Sequence, residues 1–357
     1  MVVVLTSNFL HKRNLAMKFV GADLHKKSIS LCVVVVVERK VQVVRRERIL
    51  CREVAKLRRF LQSLGPFQLT VEATIGYDWF AALAEEFADR VVIAHPGKLR
   101  IIAESTRKTD KIDARVLAEF LAHDMIPEAW RPTPRVRQHR SLVRRRYKMQ
   151  SRITSIRNTM RGILTRYNAD RRDLFTRLGK AATAKLPLLE EEHWLLGHLW
   201  QDLADAQGRL REIDDRLQAF AAKAAVKEQE ARAVLASLPG VGFVTIETIL
   251  AELGDWHRFR NADAVVSFAG LDPGVRESDG RRTDLKLSKA GSPLLRWILI
   301  QLAHRVKRTL ERWRAIFVRL SARVGKKKAT CAIARRLLLV IYAMLRDGRA
   351  YQLPAVA

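Results

Sequence analysis

Cysteine is nearly absent: Cys32, Cys51 and Cys331 are the only three in 357 residues, and no C-x-x-C occurs. That scarcity argues against a disulfide framework and a zinc ribbon, and it fits a reducing compartment. Long apolar runs are missing too. The valine run Val33–Val37 is short and closed by Glu38, Arg39 and Lys40, so it reads as a buried strand and no membrane association is expected. Residues 1–16 put an apolar stretch before a basic one, the reverse of a secretory signal, and no small-residue cleavage site follows. The expected location is therefore cytoplasmic. Because Met17 directly precedes the first strand-like run, residues 1–16 are expected to be a leader, non-native or disordered. Negative charge is the scarcer sign, with 37 Asp+Glu against 66 Lys+Arg and a formal net charge of +29. An excess of this size favours a polyanionic partner, through steering and counterion release, and points to nucleic acid.

Against so basic a background, a few acids need explaining. Asp23 interrupts the apolar run K-F-V-G-A-D-L-H, and Glu72 closes another, F-Q-L-T-V-E-A-T. Asp110 and Asp113 lie three apart in R-K-T-D-K-I-D-A-R, which on a helix gives them one face. A lone aspartate is more often a cap or a salt-bridge partner. Asp110 would serve as an N-cap, with Asp113 as a first-turn acid favoured by the helix dipole. That explanation fails for Asp23, since an acid between Val20, Ala22 and Leu24 costs desolvation unless it is paired or metal-bound. Strand-end carboxylates plus a helix-borne pair match the needs of a divalent-cation site for phosphoryl transfer. Mg²⁺ or Mn²⁺ takes such hard oxygens, and two ions about 3.5–4 Å apart stabilise both the attacking and the leaving oxygen. His25, Lys26, Lys108 and Lys111 lie beside these acids in sequence and suit a phosphate.

The chain reads as α/β followed by all-α. Residues 17–134 show strand-like runs at about 18–24 and 28–37, then Val41–Leu50, and an amphipathic helix that stops at Gly65-Pro66. A strand ending at Glu72, a helix from Asp78, a strand over 90–96 and a helix over Asp110–Ala122 complete the region. A meander followed by alternation predicts a mixed sheet covered by helices. Residues 135–227 look helical. An arginine-heavy helix over Arg137–Tyr167 carries Arg144, Arg145 and Arg146 and is expected to grip a nucleic-acid backbone. A second helix, over Trp194–Lys227, repeats Leu199, Leu203, Ala206, Leu210, Ile213, Leu217 and Phe220 at three- and four-residue spacing, as in a coiled-coil arm for self-association. The plainer alternative is a helix pair packed on its own domain with snorkelling arginines.

Residues 228–350 are expected to be mainly helical. L-P-G-V-G-F-V-T-I has the form of a helix-hairpin-helix, in which Gly240 and Gly242 let backbone N–H groups approach a phosphate; an ordinary αα-hairpin is the alternative. A loop punctuated by Gly and Ser follows, with Arg281, Arg282, Lys289 and Arg296 as phosphate-binding candidates. Ser278, Ser288 and Ser292 are candidate nucleophiles there, their developing charge stabilised by the guanidiniums. Ser292 is best explained as the N-cap before Pro293.

Taken together and in order, D-L-H-K-K-S, V-E-A-T-I-G-Y, R-K-T-D-K-I-D-A-R-V-L-A, L-P-G-V-G-F-V-T-I-E-T-I-L-A-E-L-G-D, F-A-G-L-D-P-G-V-R-E-S-D-G and L-S-K-A-G-S-P-L-L-R-W resemble the insertion-sequence 110 family of bacterial transposases. The resemblance runs from about Met17 to Leu345. It implies an N-terminal RuvC-like (RNase H-like) domain whose DEDD quartet falls on Asp23, Glu72, Asp110 and Asp113, a coiled-coil arm, and a C-terminal helical transposase domain. It also implies a nucleophilic serine, usually within Ser-Gly; the best match is Ser278, although this chain reads Ser-Asp-Gly. Donor and target DNA, a structured bridge-type guide RNA, and a nucleoid-associated homo-oligomer, dimer or tetramer, are the partners and setting expected on this basis. A RuvC-like endonuclease using metal-activated water is the leading alternative. A non-catalytic nucleic-acid-binding protein is the second, and it has no use for four clustered acids.

Overall fold

The computed structural model describes residues 17–100, 113–278 and 281–352, with the backbone alone over 275–278 and 281–286. It divides into two compact units, residues 1–131 and 132–357.

The first unit is built on a five-stranded sheet in the order β3-β2-β1-β4-β5. Its strands are β1 (Lys18–Leu24), β2 (Ser28–Val37), β3 (Lys40–Leu50), β4 (Phe67–Glu72) and β5 (Arg90–Ala94). β1, β2 and β3 form an antiparallel meander, while β4 runs parallel to β1 and β5 parallel to β4. Helices α1 (Val54–Gln62) and α2 (Tyr77–Ala84) provide the crossovers that parallel pairing requires. The mixed, helix-covered sheet expected from the sequence is the observed one, and its topology is consistent with an RNase H-like domain.

Period-two alternation sorts the strand residues between the two faces. Val20, Ala22, Ile29, Leu31 and Val33 join the core shared with α1 and α2. Cys32 and Val34, with Phe19 at its edge, pack instead against Ala114 and Ala118 of α3 (Ala114–Ala122). Gly21 is the position that makes this second face work. A Cβ added there would overlap the Ala114 carbonyl oxygen and come within 2.5 Å of the Ala118 nitrogen. The helix thus lies with its backbone directly on β1.

Helix α3 starts later than the sequence suggested. Asp113 has extended backbone angles and serves as the N-cap, its Oδ1 accepting from the Arg115 and Val116 nitrogens at 3.0 and 2.9 Å. Those two bonds satisfy N–H groups that have no partner within the helix, so the helix begins after Asp113 and not at Asp110. Asp110 itself lies outside the described residues.

The second unit opens with α4 (Pro134–Thr165), α5 (Arg177–Thr183) and α6 (Glu190–Ala222). Met149, Ile153, Met160 and Leu164 of α4 interlock with Leu196, Leu203 and Ala206 of α6. The sequence carried the second long helix through to Lys227, but α6 stops at Ala222, where the Gln229 side-chain amide donates to the Ala221 carbonyl at 2.9 Å. Gln229 belongs to the next helix, α7 (Val226–Ala236), so the break sits within a stretch that contains no glycine or proline.

Helices α7, α8 (Phe243–Leu253), α9 (Ala262–Ala269), α10 (Pro293–Thr309), α11 (Glu311–Val324) and α12 (Lys326–Asp347) enclose one apolar core. The stretch expected as a loop is an antiparallel hairpin, β6 (Pro273–Ser278) and β7 (Arg281–Leu287), with Ser278 opposite Arg281.

A Gly21→Ala substitution tests the helix-on-strand contact. Where there is room, replacing Gly by Ala stabilises by about 0.4–1 kcal/mol. Here overpacking is expected to cost roughly 1–3 kcal/mol in denaturant unfolding. Equal or greater stability would show that α3 is not seated on β1 in this way.

Candidate active site

β1 and β4 are adjacent and parallel, in register at Ala22 and Val71, so the next residue of each, Asp23 and Glu72, emerges at the same sheet end. Their proximity is electrostatic as well as geometric. Burial pushes the Glu72 carboxyl above the usual carboxylate range, and the Asp23 charge adds to the effect, while Arg100 opposes it. Asp23 meets His25 at 3.1 Å. On the same face, Asp23 and Asp113 line one cavity of about 350 Å³, together with Ser30, Cys32, Arg46 and Arg48. The cavity is set by two features already described: alternation turns Asp23 toward α3, and Gly21 lets the capped end of α3 come close. Both cap bonds of Asp113 fall on Oδ1, which leaves Oδ2 outside the cap. The Cys32 thiol is pushed up by burial, moderated by a hydrogen bond with Arg46, and it senses the Asp113 charge.

The donor chemistry suits a hard divalent cation. Asp23 and Glu72 are hard-oxygen carboxylates sharing a partly buried sheet end, and burial together with the neighbouring Asp23 charge disfavours the ionised form of Glu72. Among the described residues, no three acids, histidines or cysteines stand close enough to hold a metal ion by themselves. The fourth expected acid, Asp110, is outside that set, as are Lys108 and Lys111. Lys26 is exposed in the turn between β1 and β2.

The candidates in the second unit fare unevenly. Arg144 forms a two-bond ion pair with Glu252, at 2.8 and 3.0 Å, and Arg146 pairs with Asp214 at 2.6 Å. Arg145 remains exposed. Neighbouring cations of α4 do similar structural work, as Arg135 bonds Glu228 and His139 meets the fully buried Glu247 at 2.9 Å. Glu247 and Glu252 are not recognisable as anchors from the sequence, since both sit in the apolar helix α8. Gly240 takes a left-handed φ of 87°, and its carbonyl accepts from Arg305. Gly242 precedes α8 and faces open space.

Ser288 donates to Asp272 at 2.5 Å, while Ser292 caps α10 and donates to Glu252 at 2.8 Å. Both hydroxyls are thus engaged within the fold. Ser278 ends β6, and Arg282 lies opposite Glu277 in the hairpin. Lys289 is exposed with φ 53°, and Arg296 bonds the Ala269 carbonyl, locking the turn at Gly270. Arg46 and Arg48 were not singled out in the sequence. Only strand register reveals that they share the cavity of Asp23.

The raised Glu72 value has a definite consequence. A carboxyl whose folded pKa exceeds its unfolded one makes stability fall as pH rises through that window, because the native state binds the extra proton. Glu72→Gln is therefore expected to raise the melting temperature of metal-free protein at neutral pH and to flatten its pH dependence above the ordinary glutamate range. An unchanged profile in thermal unfolding would show that Glu72 is not destabilised by its neighbours.

Among the described residues, no helix is long and apolar enough to cross a membrane. Two family models match the chain. One, described as "Transposase" and belonging to the DEDD type of IS110, covers residues 20–169 and so includes the carboxylate region. The other, described as "Transposase IS116/IS110/IS902 family", covers residues 232–318. Among curated relatives, the chain is 25% identical to the transposase for insertion sequence element IS1111A of Coxiella burnetii, over 69% of each chain. It is 26% identical to a probable family 20 transposase of Pseudomonas aeruginosa, over 74% of this chain and 79% of that one. It is 24% identical to the transposase for insertion sequence element IS1328 of Yersinia enterocolitica, over 83% of this chain and 89% of that one. Matched at both its carboxylate-bearing and its helical regions, the chain belongs to the IS110 family of transposases, DNA-processing enzymes of insertion sequences.

Proposed function

We propose that this transposase cuts and rejoins DNA by phosphoryl transfer, with Asp23, Glu72, Asp110 and Asp113 as the divalent-ion ligands and Ser278 as the nucleophile. The observation that carries the reading is the convergence of Asp23 with Glu72 at one sheet end and with Asp113 in one cavity. When bound there, Mg²⁺ or Mn²⁺ would supply charge neutralisation and polarisation of the phosphodiester. Asp23 and Glu72 would hold the ion from the sheet end, and the Asp113 cap keeps its carboxylate fixed on the helix end. Ser278 Oγ forms a bond to phosphorus as the bond to a deoxyribose oxygen breaks. The serine proton is given up, and the departing oxygen takes one. The resulting phosphoserine link to DNA is then attacked by a DNA hydroxyl, which restores the serine and joins the strand.

In this reading, residues 17–134 act as the RuvC-like catalytic domain, 135–227 as the arm and 228–350 as the transposase domain. The paired helices α4 and α6 serve self-association, as a dimer or tetramer. The open N-terminus of α8 at Gly242 serves as the phosphate contact of a helix-hairpin-helix. Arg145, Arg281, Arg282 and Lys289 contact the backbones of donor DNA, target DNA and a bridge-type guide RNA. Support for the guide comes from the family resemblance and is compatible with the strong positive charge.

Incubation with element DNA, its flanking non-coding RNA and Mg²⁺, followed by denaturation, tests the chemistry. A DNA–protein adduct is expected, and it should be lost in both Ser278→Ala and Asp23→Ala. Cleavage without any adduct, persisting in Ser278→Ala, would instead assign a water-using nuclease. An adduct that survives Ser278→Ala but not Asp23→Ala would move the nucleophile to another residue.

A further inference from the structure

We infer that Arg46 and Arg48 form a phosphodiester-binding subsite that holds the DNA backbone beside the reacting phosphate. The inference rests on the carboxylates being the reaction centre. Asp23 lies opposite Ser30, which lies opposite Arg48, giving a row across three strands. The neighbouring row is Gly21, Cys32 and Arg46. Alternation sets both rows on the face that carries α3, and all of their residues but Gly21 line the cavity shared with Asp113. Two strand spacings separate Asp23 from Arg48, about 10 Å between backbones. An arginine side chain extending from β3 covers much of that gap. The floor between is made of the small side chains Ser30 and Cys32, which leaves a trough with acids on one side and guanidiniums on the other.

The charges around this trough are not alike. Arg115 is neutralised by Glu119 at 2.6 Å, and Glu47 by Lys56 at 3.3 Å. Among the described residues, Arg48 is held by a neutral group and Arg46 faces one. Arg48 reaches the Ser28 hydroxyl at 3.4 and 3.2 Å, and Arg46 stands opposite Cys32 in the strand register. Among the described residues, neither makes an ion pair with a carboxylate. Orientation is therefore provided by weak hydrogen bonds while the positive charge stays available. Two such forks beside acids that would hold divalent ions suit an anion with paired oxygens, the non-bridging pair of a phosphodiester. Contacts of this kind position a duplex or a strand without reading its sequence. The plainer alternative is that the arginines only guard the sheet edge formed by β3 against pairing with another strand.

Binding of a fluorescein-labelled element-end DNA duplex to the full-length protein, measured in EDTA over a salt series, separates the two. Each phosphate contact contributes about 0.9 to the slope of log affinity against log salt. Arg46→Ala/Arg48→Ala is expected to lower that slope by nearly two and to raise KM for cleavage more than it lowers kcat. The Arg46→Lys/Arg48→Lys protein should keep the slope, since the charges remain, and it supplies the readout if the alanine protein fails to fold. Wild-type affinity and slope in a folded double-alanine protein would overturn the subsite and leave the sheet-edge role. Asp23→Asn provides the separate check: loss of cleavage with retained binding supports the reaction centre, whereas wild-type cleavage would remove the premise.

Discussion

The contact of α3 with β1 at Gly21 is the constraint on which the arrangement of the carboxylates depends. A side chain there would push the helix off the sheet, and Asp113 caps the end of that helix. Asp23 stands two residues beyond Gly21 and therefore projects from the same face of β1. One missing side chain thus brings a strand-borne and a helix-borne carboxylate to a common cavity. Glu72 enters through a different device, the parallel pairing of β4 with β1, which ends both strands at the same level.

Electrostatics divides the protein's cations between two tasks. In the second unit, many arginines satisfy protein carboxylates. Arg144 bonds Glu252, while Arg232 with His139 bonds Glu247, and both acids are almost completely buried. Removing one partner of such a pair would leave a buried charge uncompensated, at a typical cost of about 3–5 kcal/mol. These links fix α4 on α8 and make the arginine-rich helix a structural beam along one side. In the first unit several arginines are paired likewise, Arg58 with Glu86 and Arg131 with Glu85 among them, but two of β3 are not. Asp23 and Glu72 stand together at one sheet end, and Arg46 and Arg48 of β3 remain outside ion pairs with described carboxylates.

Much of the first unit was legible in the sequence, because its strands carry alternating or uninterrupted apolar residues and its acids break that pattern. Asp23 and Glu72 stood out for this reason. Asp113 also stood out, but the sequence alone could not settle whether the helix began at it or before it, since Thr109, Asp110 and Asp113 can all cap. Arg46 and Arg48 were invisible, because their relation to Asp23 exists only through strand pairing. The ion pair of Arg144 was not legible either, since its partner Glu252 lies 108 residues away in sequence. The hairpin of β6 and β7 was read as a loop because its strands are rich in charge and poor in the apolar alternation that marks a half-buried sheet.

The central claim is that these carboxylates make one cation site. Titration of Mn²⁺ into metal-stripped full-length protein, followed by electron paramagnetic resonance, tests it most directly. The account predicts saturable binding in the wild type that is lost in both Asp23→Asn and Asp113→Asn, with each variant retaining its fold. Wild-type Mn²⁺ binding in both variants would contradict the account, because the strand acid and the helix acid would then not share a site.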